Sequence, residues 1–111
     1  MKGGNIKKGN VLAASRIAGI MAAKKTWEII PLCHQIKLAG IDIEFRINKD
    51  KNNIEVISTV EGFDKTGVEM EALAAVSVAL LNIYDMCKAL SRNLEISQIR
   101  LLENTGGTHA R

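Results

Sequence analysis

The sequence predicts an α+β fold in which two helices cover one face of an antiparallel sheet. Three observations predict it. Apolar residues recur at helical spacing over residues 11–30 and again over 72–90. The run "IDIEFRIN", residues 41–48, alternates apolar and polar side chains with a period of two. A polar stretch, "KDKNN", follows it at once and leads into a second alternating run.

The elements follow in order. Residues 1–9, "MKGGNIKKG", read as a flexible basic lead-in. Asn10 stands where a helix N-cap belongs, ahead of "VLAASRIAGIMAAKKTWEII", with Val11, Ala14, Ala18 and Met21 on one face and Gly19 and Ala22 allowing a close neighbour. Pro31 ends this helix or its following turn. In the first strand Ile41, Ile43, Phe45 and Ile47 face one way and Asp42, Glu44 and Arg46 the other, and Ile54, Val56 and Ser58 continue the pattern in a hairpin partner. Thr66 and Glu69 form a Thr-x-x-Glu capping box for the second helix, which Asn93 closes. "LEISQIRLL" then reads as a last strand, and residues 104–111 as a mobile tail. The order α-β-β-α-β, with one strand added in front, is the ferredoxin-like unit, so the first strand is apparently absent from this chain. Residues 1–111 are expected to form a single domain.

Composition narrows the function. Of 111 residues, 47% are hydrophobic and 24% charged, a globular balance, and the net charge is +3. That mild excess suits an anionic small molecule, while interspersed acids and the absence of a basic run argue against nucleic acid. One Trp, one Tyr and two Phe also leave few stacking platforms for RNA. Cys33 and Cys87 lack the spacing of a zinc site, and the expected compartment is the reducing cytoplasm. Asn82, Asp85 and Lys88, with Glu69 and Glu71 leading in, oppose a membrane span over 72–90. A helix so apolar on every side is expected to find its further cover in another subunit.

Several residues could carry chemistry. Asp85 and Lys88, at i and i+3 on one helix face, are either an ion pair or an acid–base pair tuned by partial burial. Cys33 and His34 follow a proline turn; they are either packed residues or a pocket wall, since adjacent side chains diverge too far to act as nucleophile and base. Lys7, Lys8 and Gly9 before a helix start are either solvated or an anion site. Glu69 and Glu71 favour a helix N-terminus on structural grounds alone and point to different sides. If Glu71 and Asp85 touch one ligand, two chains build that site.

Together, "KKGNVLAASRIAGIMAAKKTWEIIPLCH", "KTGVEMEALAAVSVALLNIYDMCKAL" and "IRLLENTGG" resemble the molybdenum cofactor biosynthesis protein C family, the cyclic pyranopterin monophosphate synthases. The resemblance runs from Lys7 to Gly107. It implies a ferredoxin-like cytoplasmic lyase, a homohexamer built as a trimer of dimers with active sites between subunits. The implied reaction converts a 3′,8-cyclised dihydroguanosine triphosphate to cyclic pyranopterin monophosphate and releases diphosphate. The implied catalytic residues are Asp85, Lys88 and Lys8. The implied substrate-binding residues are Leu32, Cys33, His34, Met70 and Glu71, with Glu69 beside them in the same motif. No cofactor or protein-held metal is implied; a divalent ion can accompany the triphosphate. This chain departs from the family pattern at Asn10, where aspartate is usual, and at Thr108, where a lysine is usual and His109 and Arg111 are the nearest cations. Members of the family usually carry a longer region ahead of the segment that matches here. The alternative expectation is a non-catalytic oligomer that binds a nucleotide in the same pocket.

Overall fold

The computed structural model describes residues 8–63, 67–90 and 93–102, with Lys8 through its backbone alone. The elements are α1 (Lys8–Ile29), β1 (Leu38–Asn48), β2 (Asn53–Gly62) and α2 (Glu69–Cys87). The two strands form an antiparallel hairpin, and both helices lie on one of its faces, as expected of the α+β class.

The hairpin follows the sequence alternation. Ile43 pairs with Ser58, Phe45 with Val56 and Ile47 with Ile54, so one face is apolar along both strands. Ile43 is its deepest member. The turn closes through Asn48, whose Oδ1 accepts from Lys51 N–H at 3.0 Å, and Asn52, which takes the left-handed φ of 54° that asparagine tolerates. On the outer face Arg46 pairs with Glu44 and Glu55, alongside Asp42 and Glu61, all exposed.

α1 begins at Lys8, so Asn10 lies inside its first turn instead of capping it. The first N–H groups of a helix have no internal partner, and Gly9 and Asn10 therefore cost little there. The buried face also differs from expectation. Val11, Ser15, Gly19, Ala22, Ala23 and Thr26 are buried, whereas Met21 is 51% exposed. The opposing seam of α2 repeats every four residues as Glu71, Ala75, Ala79, Ile83 and Cys87. Val11 clusters with Ile83 and Cys87, while Gly19 meets Ala75 and Ala79, so the helices run antiparallel. Ser58 Oγ donates to Ala72 O at 2.6 Å and ties β2 to α2.

Small residues make this contact close. A Cβ on Gly19 would meet Ile43 Cδ1 and lie 2.9 Å from Ala75 O, a backbone atom that cannot swing aside. Overpacking of this kind costs about 1–3 kcal/mol, against about 1 kcal/mol gained from replacing a helical glycine by alanine. Gly19→Ala is therefore expected to lower the urea midpoint of unfolding at fixed protein concentration. A midpoint equal to or above that of the parent chain would show that the helices can separate here at no cost.

α2 opens after Val68, which makes no side-chain capping bond; Thr66 lies outside the described residues. The helix ends at Cys87, not at Asn93. Lys88 N–H still reaches Tyr84 O at 2.9 Å, but Leu90 N–H bonds Cys87 O at 2.9 Å, three residues back, and the chain tightens out of the α-helix. α2 alone among the described helices is long and apolar enough to cross a membrane, by length and composition. Here its seam packs on α1 and its flank on β2, as a core helix would.

The expected last strand is absent among the described residues: 94–102 form no ladder. Alternation makes a strand only where a neighbour accepts its backbone groups. Leu94 instead packs on the Val11–Ile83–Cys87 cluster, and Gln98, at φ 52°, turns the chain out of an extended path. The tail from 103 onward, with His109 and Arg111, lies outside the described residues, as do residues 1–7 of the lead-in.

Candidate functional site

The predicted residues gather at the two ends of α2. At its N-terminus stand Glu69 and Met70, both exposed, and Glu71, which is 3% exposed. Beside them the chain leaves α1 through a turn in which Cys33 N–H bonds Ile30 O at 3.2 Å. Pro31 supplies the first central residue of that turn and Leu32 the second, with φ 66°. This is the place where a type II turn normally takes glycine. A leucine held in the left-handed region is strained, and strain of this kind collects where a ligand is clamped. Leu32 is also 99% exposed, so the strain gains it no packing within the subunit.

Charge and burial shape this end. Burial pushes the Glu71 carboxyl above its ordinary 4.5; its own backbone N–H works against the shift and the Glu69 charge adds to it. Burial likewise raises the Cys33 thiol, and the nearby Glu71 charge raises it further. Cys33 therefore stays a neutral thiol near pH 7, suited to a pocket wall and not to nucleophilic attack. His34 is exposed next to it, and its carbonyl oxygen is the Cys33 Sγ contact at 3.8 Å.

The Glu71 shift has a consequence for stability. An acid whose pKa is higher folded than unfolded binds more protons in the folded state between the two values, so stability falls as pH rises through that window. Glu71→Gln should match the parent chain below about pH 4.5 and become the more stable of the two above the raised folded value. Urea midpoints across that range, at fixed protein concentration, check this; parallel curves would mean that Glu71 is not desolvated.

At the other end of α2, Lys88 Nζ donates to Asp85 Oδ1 at 2.9 Å. The pair was expected to be partly buried. In the subunit it stands on the surface, with 61% of the lysine and 70% of the aspartate side chain exposed. The hydrogen bond to Asp85, followed by its charge, raises the lysine and keeps it an ammonium. Because the helices are antiparallel, the backbone of Lys8, the first residue of α1, belongs to this same end.

One subunit therefore divides the predicted set. Asp85, Lys88 and the start of α1 share one end, and Leu32, Cys33, His34, Glu69, Met70 and Glu71 share the other. Fourteen residues of helix part Glu71 from Asp85, about 21 Å along the axis. The sequence reading passes over Arg16, which bonds Ile43 O and lies over Phe45 at the Lys8 end; a single arginine in a helix gives no spacing signal. It also reads Asn82 only as an argument against a membrane span, although its amide reaches Ser15 across the helices. No three His, Cys, Asp or Glu side chains among the described residues converge as metal ligands.

These features define a class: an α+β subunit carrying an exposed aspartate–lysine ion pair at one end and a strained, carboxylate-lined turn at the other. The chain belongs to the MoaC family, whose model matches residues 1–107, and the motif resemblance is confirmed. It is 55% identical over 107 residues to a cyclic pyranopterin monophosphate synthase of Heliobacterium modesticaldum, covering 96% of this chain and 67% of that protein. It is 55% identical over 104 residues to the synthase of that name from Brevibacillus brevis, covering 94% and 64%. A molybdenum cofactor biosynthesis bifunctional protein of Chlorobaculum tepidum is 62% identical over 102 residues, covering 92% of this chain and 32% of that protein. The chain thus spans about two thirds of the synthases and about a third of the bifunctional protein.

Proposed function

We propose that the protein is a cytoplasmic cyclic pyranopterin monophosphate synthase, acting on the 3′,8-cyclised dihydroguanosine triphosphate in sites built by two subunits of a ferredoxin-like homohexamer. The observation that carries this reading is the 21 Å division of the family's site residues within one chain, about fourteen helical residues. A single triphosphate-sized ligand cannot be worked on from both ends of α2, so one copy supplies the Asp85–Lys88 end and another the Leu32–Glu71 end. Exposed apolar side chains support assembly: Leu81 and Tyr84 on α2, and Ile17 and Met21 on α1.

In that site each group has a task. Lys88, held as an ammonium by Asp85, supplies a proton and faces the charge that gathers on departing diphosphate. Asp85 takes up the proton lost by the substrate hydroxyl that closes the cyclic phosphate, so the two act as a coupled pair. Lys8, at the helix start, holds phosphate charge. His34 and Glu71 orient the rings derived from guanine, Glu69, Met70 and Leu32 line them, and the neutral Cys33 thiol walls the pocket. A divalent ion, if present, would arrive with the triphosphate.

The test is to incubate the chain with the cyclised nucleotide triphosphate, following diphosphate release and pterin fluorescence, and to measure its mass in solution. Turnover by a species about six times the 12.1 kDa chain supports the reading. Tight binding with no diphosphate released would identify a non-catalytic nucleotide-binding oligomer instead.

A further inference from the structure

Two consecutive residues of α1 are tied to two different elements. Ser15, fully buried, accepts a hydrogen bond at 3.0 Å from Asn82 Nδ2 of α2. Arg16 points about 100° further around the helix. It donates Nε to Ile43 O of β1 at 3.2 Å, and its guanidinium carbon lies 5.1 Å from the centre of the Phe45 ring.

Neither tie is explained by filling the core. The first turns of α1 stand off from β1 across an open groove of about 550 Å³, with Gly9, Leu12 and Ala13 on one bank and residues 42–45 of β1, Ile43 and Phe45 among them, on the other. Arg16 reaches across this groove while staying exposed. Along the other flank, the middle of the α1–α2 seam is built of small residues, with Gly19 facing Ala75 and Ala79. A seam of small side chains allows close approach but opposes sliding weakly, since a shift of one turn sets one small residue where another was. A hydrogen bond between two particular side chains has no counterpart in a shifted register. One tie thus sets α1 along and around α2, and the other sets its height over the sheet.

We propose that Ser15 and Arg16 are positioning residues for the proton-transfer end of the site, fixing the first turn of α1, and with it Lys8, relative to Asp85 and Lys88. Lys8 opens the helix seven residues, about two turns, before Ser15 and on the same face. Any rotation or tilt of α1 about these ties is therefore carried to the helix start. The inference rests on the proposed role of Lys8 in the synthase reaction.

The experiment compares Arg16→Met and Arg16→Lys, and separately Ser15→Ala combined with Asn82→Leu, each in the parent chain and in a Lys8→Ala background. In the parent chain every change should lower kcat/KM by about tenfold or more, because sub-ångström misplacement of a charged group is costly. Arg16→Lys should not restore the rate, since lysine has the charge but neither the planar group nor the Nε donor. In the Lys8→Ala background the same changes should cost less than about twofold, as expected for residues that act through Lys8. Losses that add in full to that of Lys8→Ala would overturn the proposal. If the parent chain or Lys8→Ala shows no turnover, amide hydrogen exchange decides. Exchange at residues 11–14 about tenfold faster in Arg16→Met, with residues 20–26 unchanged, supports the fixture even where the synthase reading fails. Unchanged exchange at 11–14 would sink it.

Discussion

Replacing Lys88 with alanine is expected to lower turnover of the cyclised nucleotide by roughly 10²–10⁴-fold, the range that a positioned proton donor contributes, and to leave fold and assembly as they were. The argument starts from exposure. Lys88 is 61% exposed and contacts Asp85, which is itself 70% exposed, so its loss opens no cavity and strands no buried charge. Exposed ion pairs contribute little to stability. The melting temperature of the variant should accordingly stay within a degree or two of the parent, on the order of a few tenths of a kcal/mol. Lys88→Arg is a useful companion. It keeps the charge for diphosphate but cannot give up a proton, so it should recover affinity and not rate. Turnover near the parent rate in Lys88→Ala would remove this residue from the mechanism.

The second large effect is a gain of activity on mixing two dead proteins. Lys88→Ala disables one end of α2 and His34→Ala the other, and both residues are exposed, so both variants should fold. Unfolded together in urea and refolded, the two chains should form mixed pairs in which one shared site carries both lesions and the other carries neither. Random pairing in a two-fold arrangement restores about a quarter of the parent activity. Each variant refolded alone should remain silent. Mixtures as inactive as their components would mean that the two ends of α2 do not meet in a shared site, and would overturn the two-subunit reading.

How far the sequence was readable depended on which physical signal each element sends. The hairpin was legible because a period of two has one reading when one face is apolar: Ile43 and Phe45 fell inward and Asp42 and Glu44 outward as expected. The buried face of α1 was legible at Val11, Gly19 and Ala22 but not at Met21. Met21 was placed inside, yet a seam this close selects small side chains, and it accepts even Ser15 and Thr26 because Asn82 and Ala22 O satisfy their hydroxyls. The end of α2 was set too late, since nothing in the sequence around Lys88 marks the tightening that Leu90 makes. Residues 94–102 alternate enough to suggest a strand, but alternation says nothing about whether a partner edge is at hand. The candidate residues were found by motif, and the Glu71 charge acts on the Cys33 thiol, so these two lie near one another. The division of the set between two ends was foreshadowed only by counting turns. Asp85 and Lys88 were expected in an apolar setting and instead stand exposed, because the apolar side chains near them, Leu81 and Tyr84, are exposed as well.

The outer face of the hairpin has a bearing on encounter. Asp42, Glu44, Glu55 and Glu61 stand there against Arg46 alone, while the whole chain is positive at +3. The remaining surface must then be more cationic than the net figure suggests, and the particle is electrically lopsided. A polyphosphate drifting up to it is turned away from the outer face of the hairpin. Raising the ionic strength should blunt that guidance, slowing capture while leaving the bound complex little altered.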